Sequence, residues 1–182
     1  MKIFALISGF LLCSTLLIKA QTTAVAPAMP IDEETKKICY TQVVEVKGTM
    51  NELYRRAIEW FNKQYKNPQD VTKVRDEENG KIQGVHRIKV YDIDEKGAKI
   101  GGREITYTIY LDFKDNKYRY RITELREIKT STTQLEKWLD KKLPSYTPQY
   151  ENYLAQIDKA IKEIIESLKQ GMKPPVKKDN NW

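Results

Sequence analysis

The sequence predicts a two-layer α+β domain of order β-α-β-β-β-β-α, a mainly antiparallel twisted sheet covered by helices on one face. Ile105, Tyr107, Ile109, Leu111 and Phe113 alternate without a break, which is the period of a strand with one buried side. Two other segments, 49–66 and 147–170, space their apolar residues three and four apart, the period of a helix with one apolar stripe. The patterns complement each other. One apolar sheet face and two apolar helix faces can bury one another and nothing else on the chain competes.

The chain has 182 residues. Lys2 leads an apolar run from Ile3 to Ile18, and the chain turns polar at Lys19-Ala20-Gln21. That is the pattern of a secretory signal peptide over residues 1–20, with cleavage expected after Ala20 and a periplasmic or secreted product. Residues 21–37 are small, polar and proline-bearing, and read as a flexible lead. The domain itself is expected over 38–171. Tyr40, Val44 and Val46 share a parity in a first strand that Gly48 ends. Thr49 and Glu52 then form a capping box, in which each side chain takes a backbone amide proton of the other residue. Leu53, Ala57, Trp60, Phe61 and Gln64 make the stripe of the helix that follows, and Asn67-Pro68 should stop it.

Four strands are predicted next: Val71–Glu77, Lys81–Tyr91, Arg103–Lys114 and a last one after the Asp115-Asn116 turn, with a loop over Asp92–Gly102. A two-residue turn fixes a register. It sets Phe113 opposite Tyr118, Leu111 opposite Tyr120 and Ile109 opposite Ile122 on one face. The other face pairs Asp112 with Arg119 and Tyr110 with Arg121. A one-residue slip would lose every pair. The same register would put Glu104 against Glu127, so a bulge is expected near Glu124-Leu125. Thr133 to Glu136 reads as a second capping box, opening C-terminal helices over 134–170. Thr147 should cap the longer one with Pro148 in its first turn, and Gly171 should stop it. Residues 172–182 read as a disordered tail.

Without Lys2 and Lys19 the formal charge of +7 becomes +5, and no basic run exceeds two residues. This favours solubility and an acidic partner over nucleic acid, which an exported chain would rarely meet. After export Cys39 is the one remaining cysteine, so no internal disulfide framework is expected. It reads either as an inert residue near a strand start or as a reactive or intermolecular thiol.

Val43-Val44-Glu45-Val46-Lys47-Gly48-Thr49 and Glu52-Leu53-Tyr54-Arg55-Arg56-Ala57-Ile58-Glu59-Trp60-Phe61 resemble the opening of the domain of unknown function 4468 family. Gly80-Lys81-Ile82-Gln83-Gly84 and Lys117-Tyr118-Arg119-Tyr120 are similar to its later blocks, so that 38–128 forms the family-like core. The resemblance implies an exported bacterial protein with a TATA-box-binding-protein-like (TBP-like) fold and no assigned activity. It does not imply DNA binding, because function belongs to sites and not to folds.

Catalytic chemistry finds few residues to use. His86 is the only histidine, and its parity places it with Ile82 and Ile88 toward the core, as a satisfied imidazole more readily than a base or ligand. The exported chain would hold only Ser131, Ser145 and Ser167. Asp92 to Gly97 falls short of a calcium loop, since Lys96 and Arg103 stand where oxygen ligands belong. Gly101-Gly102 precedes a strand and so is no phosphate cradle. Paired carboxylates remain compatible with the composition. No enzyme, cofactor or metal is therefore expected.

The residues that suggest a site are Arg87, Lys89, Thr106, Thr108, Tyr110, Arg119 and Arg121, a basic face with hydroxyls and one aromatic if their strands are neighbours. The expected role is a binding or assembly module of the bacterial envelope, docking an envelope protein or another anionic envelope component. The alternative is a carrier of a small apolar ligand between the sheet and the 148–170 helix. Trp60, Phe61, Tyr107, Phe113, Tyr118, Tyr120, Trp138, Tyr150 and Tyr153 would line or fill that layer.

Overall fold

The computed structural model describes residues 27–94 and 96–175. The signal peptide expected over 1–20 lies outside them, as do 21–26 and 176–182 of the expected flanks. The observed elements are β1 (Tyr40–Glu45), α1 (Met50–Gln64), α2 (Pro68–Val71), β2 (Thr72–Asp76), β3 (Lys81–Ile93), β4 (Lys99–Lys114), β5 (Lys117–Ile128), β6 (Thr133–Gln134), a 3-10 turn over Leu135–Leu139, and α3 (Gln149–Gly171). The strands form one sheet of order β1-β5-β4-β3-β2, with β6 paired to the end of β5. Each of these pairings is antiparallel. The two-layer α+β architecture is thus the one the periodicities predict.

α1 begins on the Thr49 capping box: Glu52 N donates to Thr49 Oγ1 at 3.3 Å and Thr49 N to Glu52 Oε2 at 2.7 Å. It buries Leu53, Tyr54, Ala57, Trp60 and Phe61. Phe61 rests on the β3 backbone, where a Cβ on Gly84 would stand 2.7 Å from its Cε1. α3 buries Tyr153, Leu154, Ile157, Ile161, Ile165 and Leu168. The two long helices touch through Trp60 Nε1, which donates to Ser167 Oγ at 3.0 Å, and Ser167 Oγ donates to Gln64 Oε1 at 2.7 Å. α1 packs on β4 and β5 and α3 on β3, so both cover the face that carries Ile82, Ile109 and Leu111.

The β4–β5 register matches the predicted one from Lys114↔Lys117 through Ile109↔Ile122. It then shifts between Thr108↔Thr123 and Thr106↔Arg126, so the bulge falls at Glu124-Leu125, with Glu124 at φ +57°. Beyond it Glu127 lies opposite Ile105 on the core side, and Arg103 Nη1 meets its Oε1 at 2.8 Å.

Several expectations are corrected. The strand expected from Val71 begins at Thr72, because Pro68 presets a helical turn over Pro68–Val71 that draws Val71 into the core. The loop placed at Asp92–Gly102 is mostly strand, paired down to Ile93↔Lys99. Gly101 and Gly102 take φ +60° and +155° inside β4, at the register shift between Val90 and Asp92, where they serve a bulge and not a loop. The second capping box does not form: Thr133 and Gln134 pair with β5, and Glu136 Oε1 instead accepts the Ile38 amide at 2.8 Å. Gly171 takes no left-handed φ; it is small because a Cβ there would stand 2.8 Å from Trp60 Cδ1. At Thr147 the predicted cap is a 3.4 Å contact from the Gln149 amide. The described part of the expected flexible lead, 27–37, is folded down. Ile31 bridges Ile38, Asp32 Oδ1 accepts from Thr35 N at 2.7 Å, and Met29 is buried. At the other end Met172 is also buried, one residue past the predicted domain limit.

Candidate functional site

The helices leave the second sheet face uncovered, and strand pairing decides what stands on it. Arg87 lies opposite Thr106, Lys89 opposite Glu104, and Val85 opposite Thr108. Tyr110 lies opposite Gln83 on one side and Arg121 on the other, and Asp112 opposite Lys81 and Arg119. All seven predicted residues therefore share this face.

Their exposure differs, however. Arg87, Lys89, Arg119 and Arg121 are exposed, Thr106 and Tyr110 are half-buried, and Thr108 is buried. The threonine hydroxyls are used within the sheet. Thr108 Oγ1 donates to Glu124 Oε2 at 3.0 Å and Thr106 Oγ1 to the Arg126 carbonyl at 3.3 Å. Thr108 is thus part of the sheet's own bonding and presents nothing to a partner.

The cations fall into two kinds. Arg87 Nη1 pairs with Glu104 Oε2 at 2.9 Å, and Arg119 Nη2 with Asp112 Oδ2 at 2.8 Å. At this exposure such pairs contribute only about 0–1 kcal/mol each. Arg121 and Lys89 instead sit over rings, 4.7 Å from the centre of Tyr110 and 5.7 Å from that of Tyr91. A ring offers a cation a quadrupole without neutralising its charge. Burial first, and then the Glu124 carboxylate, push the Tyr110 phenol above its ordinary pKa, so its hydroxyl stays protonated.

Two residues of this face escaped the sequence reading. Glu124 enters it as the bulged residue, and Arg126 joins it because the bulge moves the outward parity of β5 from odd to even numbers. The predicted bulge carried that signal.

The other candidates are absorbed by the structure. His86 is half-buried with its ring 4.7 Å from Tyr65 and 6.2 Å from Tyr107, and burial holds its pKa below the ordinary value. Behind it the hydroxyls of Tyr65 and Tyr107 meet at 3.1 Å, and burial pushes Tyr65 up to about 12. Ser167 is spent between Trp60 and Gln64. In the former calcium-loop candidate, Asp94 Oδ1 accepts the amides of Lys96 and Ala98, and Asp92 Oδ1 accepts from Gln149 and the Tyr153 hydroxyl. Cys39 is buried, and that burial raises its thiol pKa.

The layer between sheet and α3 is filled by side chains. Tyr107, Tyr153, Ile157, Ile161 and Leu168 are at most 1% exposed, and Trp138 stacks on Tyr150 at 4.7 Å. One polar atom stands out there: Tyr118 Oη is buried with no hydrogen-bond partner among the described residues.

Comparison with known proteins agrees with this architecture. The family model described as a domain of unknown function (DUF4468) with TBP-like fold matches residues 40–127. A solved DUF4468 family protein from Bacteroides ovatus superposes with TM-score 0.65 at 14% identity, covering 88% of this chain and 99% of that one. A TBP-like protein from Parabacteroides distasonis superposes with TM-score 0.52 at 15% identity, covering 73% and 93%. At these identities the likeness is one of fold. Among curated proteins none matches the chain.

Proposed function

We propose that this protein, whose residues 40–127 match the model of a domain of unknown function (DUF4468) with TBP-like fold, a description that assigns no activity, is an exported, non-catalytic binding module whose open sheet face docks an acidic component of the bacterial envelope. The observation that supports this most is the pairing of Arg121 with Tyr110 and of Lys89 with Tyr91, two exposed cations with no carboxylate at salt-bridge distance among the described residues, since Glu104 opposite Lys89 is taken by Arg87. Arg87, between these two cations along β4, and Arg119, beyond Arg121, are each paired with a carboxylate and offer hydrogen-bond donors more than net charge. Tyr110, half-buried and rigid between two strands, gives the face an amphipathic anchor at little entropic cost. Charge of this kind raises association rate and orients the partner more than it adds affinity.

The test is to crosslink the protein in its native cell envelope and identify what co-purifies, beside two charge-reversed variants. Arg119→Glu with Arg121→Glu should abolish capture. Arg121→Glu with Lys89→Glu should do the same without setting a new carboxylate against Asp112. Capture of the same partner by both variants, with unchanged circular dichroism, would remove this face from consideration.

A second reading keeps some support from Tyr118. The Tyr118 phenol, buried with no hydrogen-bond partner among the described residues, would meet the polar end of a small apolar ligand, which in this filled layer has to displace side chains to enter. Organic extraction of the native protein followed by mass spectrometry tests this, and an extract without a stoichiometric compound would leave the layer as core.

A further inference from the structure

A cleft of about 360 Å³ lies where β2 leaves the edge of β3. Their pairing runs from Asp76↔Lys81 to Thr72↔Gly84 and goes no further. The α1–α2 connection comes down beside the vacated edge, packing Tyr65 against His86 with the rings tilted by 46°. One wall of the cleft carries Lys66, Asp70 and Lys73, and the other carries His86, Arg87 and Thr106.

We propose that this cleft binds a small phosphate-bearing ligand, its oxyanion held by Lys66, Lys73 and Arg87 beside the His86 imidazole. Three basic side chains from three separate segments converge on it, against the Asp70 carboxylate in the wall and the Glu104 carboxylate that pairs with Arg87 beside it. Their donors are only partly used. Lys73 Nζ gives one proton to the Asp70 carbonyl at 2.6 Å, and Arg87 gives one N–H to Glu104. An ammonium carries three donors and a guanidinium five, so most remain for a ligand. A concave site of one dominant sign focuses its field on a bound anion more than a flat face does. A ligand with several acceptor oxygens and more than one charge answers this set better than an apolar one. The volume stands near the lower end of the range of about 300–1,000 Å³ for small-molecule sites, enough for a phosphate and a short substituent. The floor is rigid, since His86 is wedged between Tyr65 and Tyr107, whose hydroxyls are bonded to each other.

This proposal goes beyond the docking reading and does not rest on it. The docking test turns on Arg121 and Lys89, whereas this one turns on Lys66 and Lys73. The experiment is a heteronuclear NMR titration of the full exported chain with inorganic phosphate and with glycerol phosphate. Saturable shifts are expected at the His86 imidazole and at the amides of Lys66 and Arg87. Lys66→Glu with Lys73→Glu, both on exposed side chains, should weaken binding by at least about tenfold. Lys137→Glu, away from the cleft, should leave it unchanged. Phosphatidic acid vesicles form a second arm: binding to them in place of soluble glycerol phosphate assigns the phosphate to a lipid headgroup, and the converse to a soluble ester. Shifts that never saturate and spread over every basic residue would overturn the proposal, as would a double variant that binds like the wild type.

Discussion

Trp60 and Phe61 are adjacent on α1, and each demands a glycine from a different neighbour. Phe61 needs Gly84 under it on β3, and Trp60 needs Gly171 beside it on α3. Gly84→Ala and Gly171→Ala should therefore each lower stability by about 1–3 kcal/mol, as overpacking does. The second case is the sharper test by urea denaturation. Helix propensity alone would make Gly171→Ala a gain of about 1 kcal/mol, so an increase would refute the packing account. His86 yields a prediction with a definite sign. In the unfolded chain its imidazole titrates near 6.5, whereas burial holds it lower in the fold. Between those two values the unfolded chain holds more protons. The contribution of His86 to stability is thus complete above about 6.5, declines as pH falls through the window, and levels off below the folded pKa. Urea midpoints of the wild type and His86→Gln, scanned across that window, should diverge in this direction, with the wild type showing the steeper acid loss. The inward parity of His86 was legible in the sequence. The glycine roles were not, because a close approach involves two segments and a one-dimensional pattern shows one.

At the level of elements, the β4–β5 hairpin was read almost completely in advance, because each cross-strand pair constrained the same register. Its turn does more than reverse the chain. Asp115 Oδ1 accepts the Met50 amide at 2.8 Å at the start of α1, and the Asn116 backbone bonds to Val46 and Gly48. Asp115→Ala removes the acceptor for a first-turn amide and should cost about 0.5–2 kcal/mol, measurable by thermal unfolding. No loss on substitution would mean that solvent serves that amide equally well. Elements were misread where a local signal was outbid from a distance. Thr133 and Glu136 fit a capping box, but β5 offered a ladder to the first and the Ile38 amide a charged hydrogen bond to the second. Gly101 and Gly102 looked like loop because a glycine in a bulged strand and a glycine in a turn have the same letter.

At the scale of the whole molecule, the family match ends at residue 127 while the fold does not. α3 contributes six buried apolar side chains to the cover of the sheet. Each is worth about 1.5–3 kcal/mol of burial, and a domain's entire stability is roughly 5–15 kcal/mol. A chain ended after Thr147 should consequently lose its near-ultraviolet dichroism and its dispersed NMR spectrum. A cooperative unfolding transition in that truncated chain would show that α1 and the sheet suffice alone. Compartment belongs to this scale as well. If residues 1–20 direct export, N-terminal sequencing of the protein from its own cells should begin at Gln21, and a chain that retains Met1 would contradict the exported reading.

Periodicity is a property of contiguous residues, so the sequence alone determined the fold class, the α1 cap, the β4–β5 register, the bulge and the shared face of Arg87, Lys89, Tyr110, Arg119 and Arg121. What each of those groups does on that face depends on partners far along the chain. Tertiary structure decided that Thr108 is buried under Glu124, that Arg126 joins the strip, and that Arg121 meets a ring while Arg119 meets a carboxylate. It alone formed the cleft at His86, because Lys66, Lys73 and Arg87 converge only once α2 folds down beside the edge that β2 leaves open. Side-chain charge is written in the sequence, whereas its neutralisation is a matter of distance, and distance exists only in the folded chain.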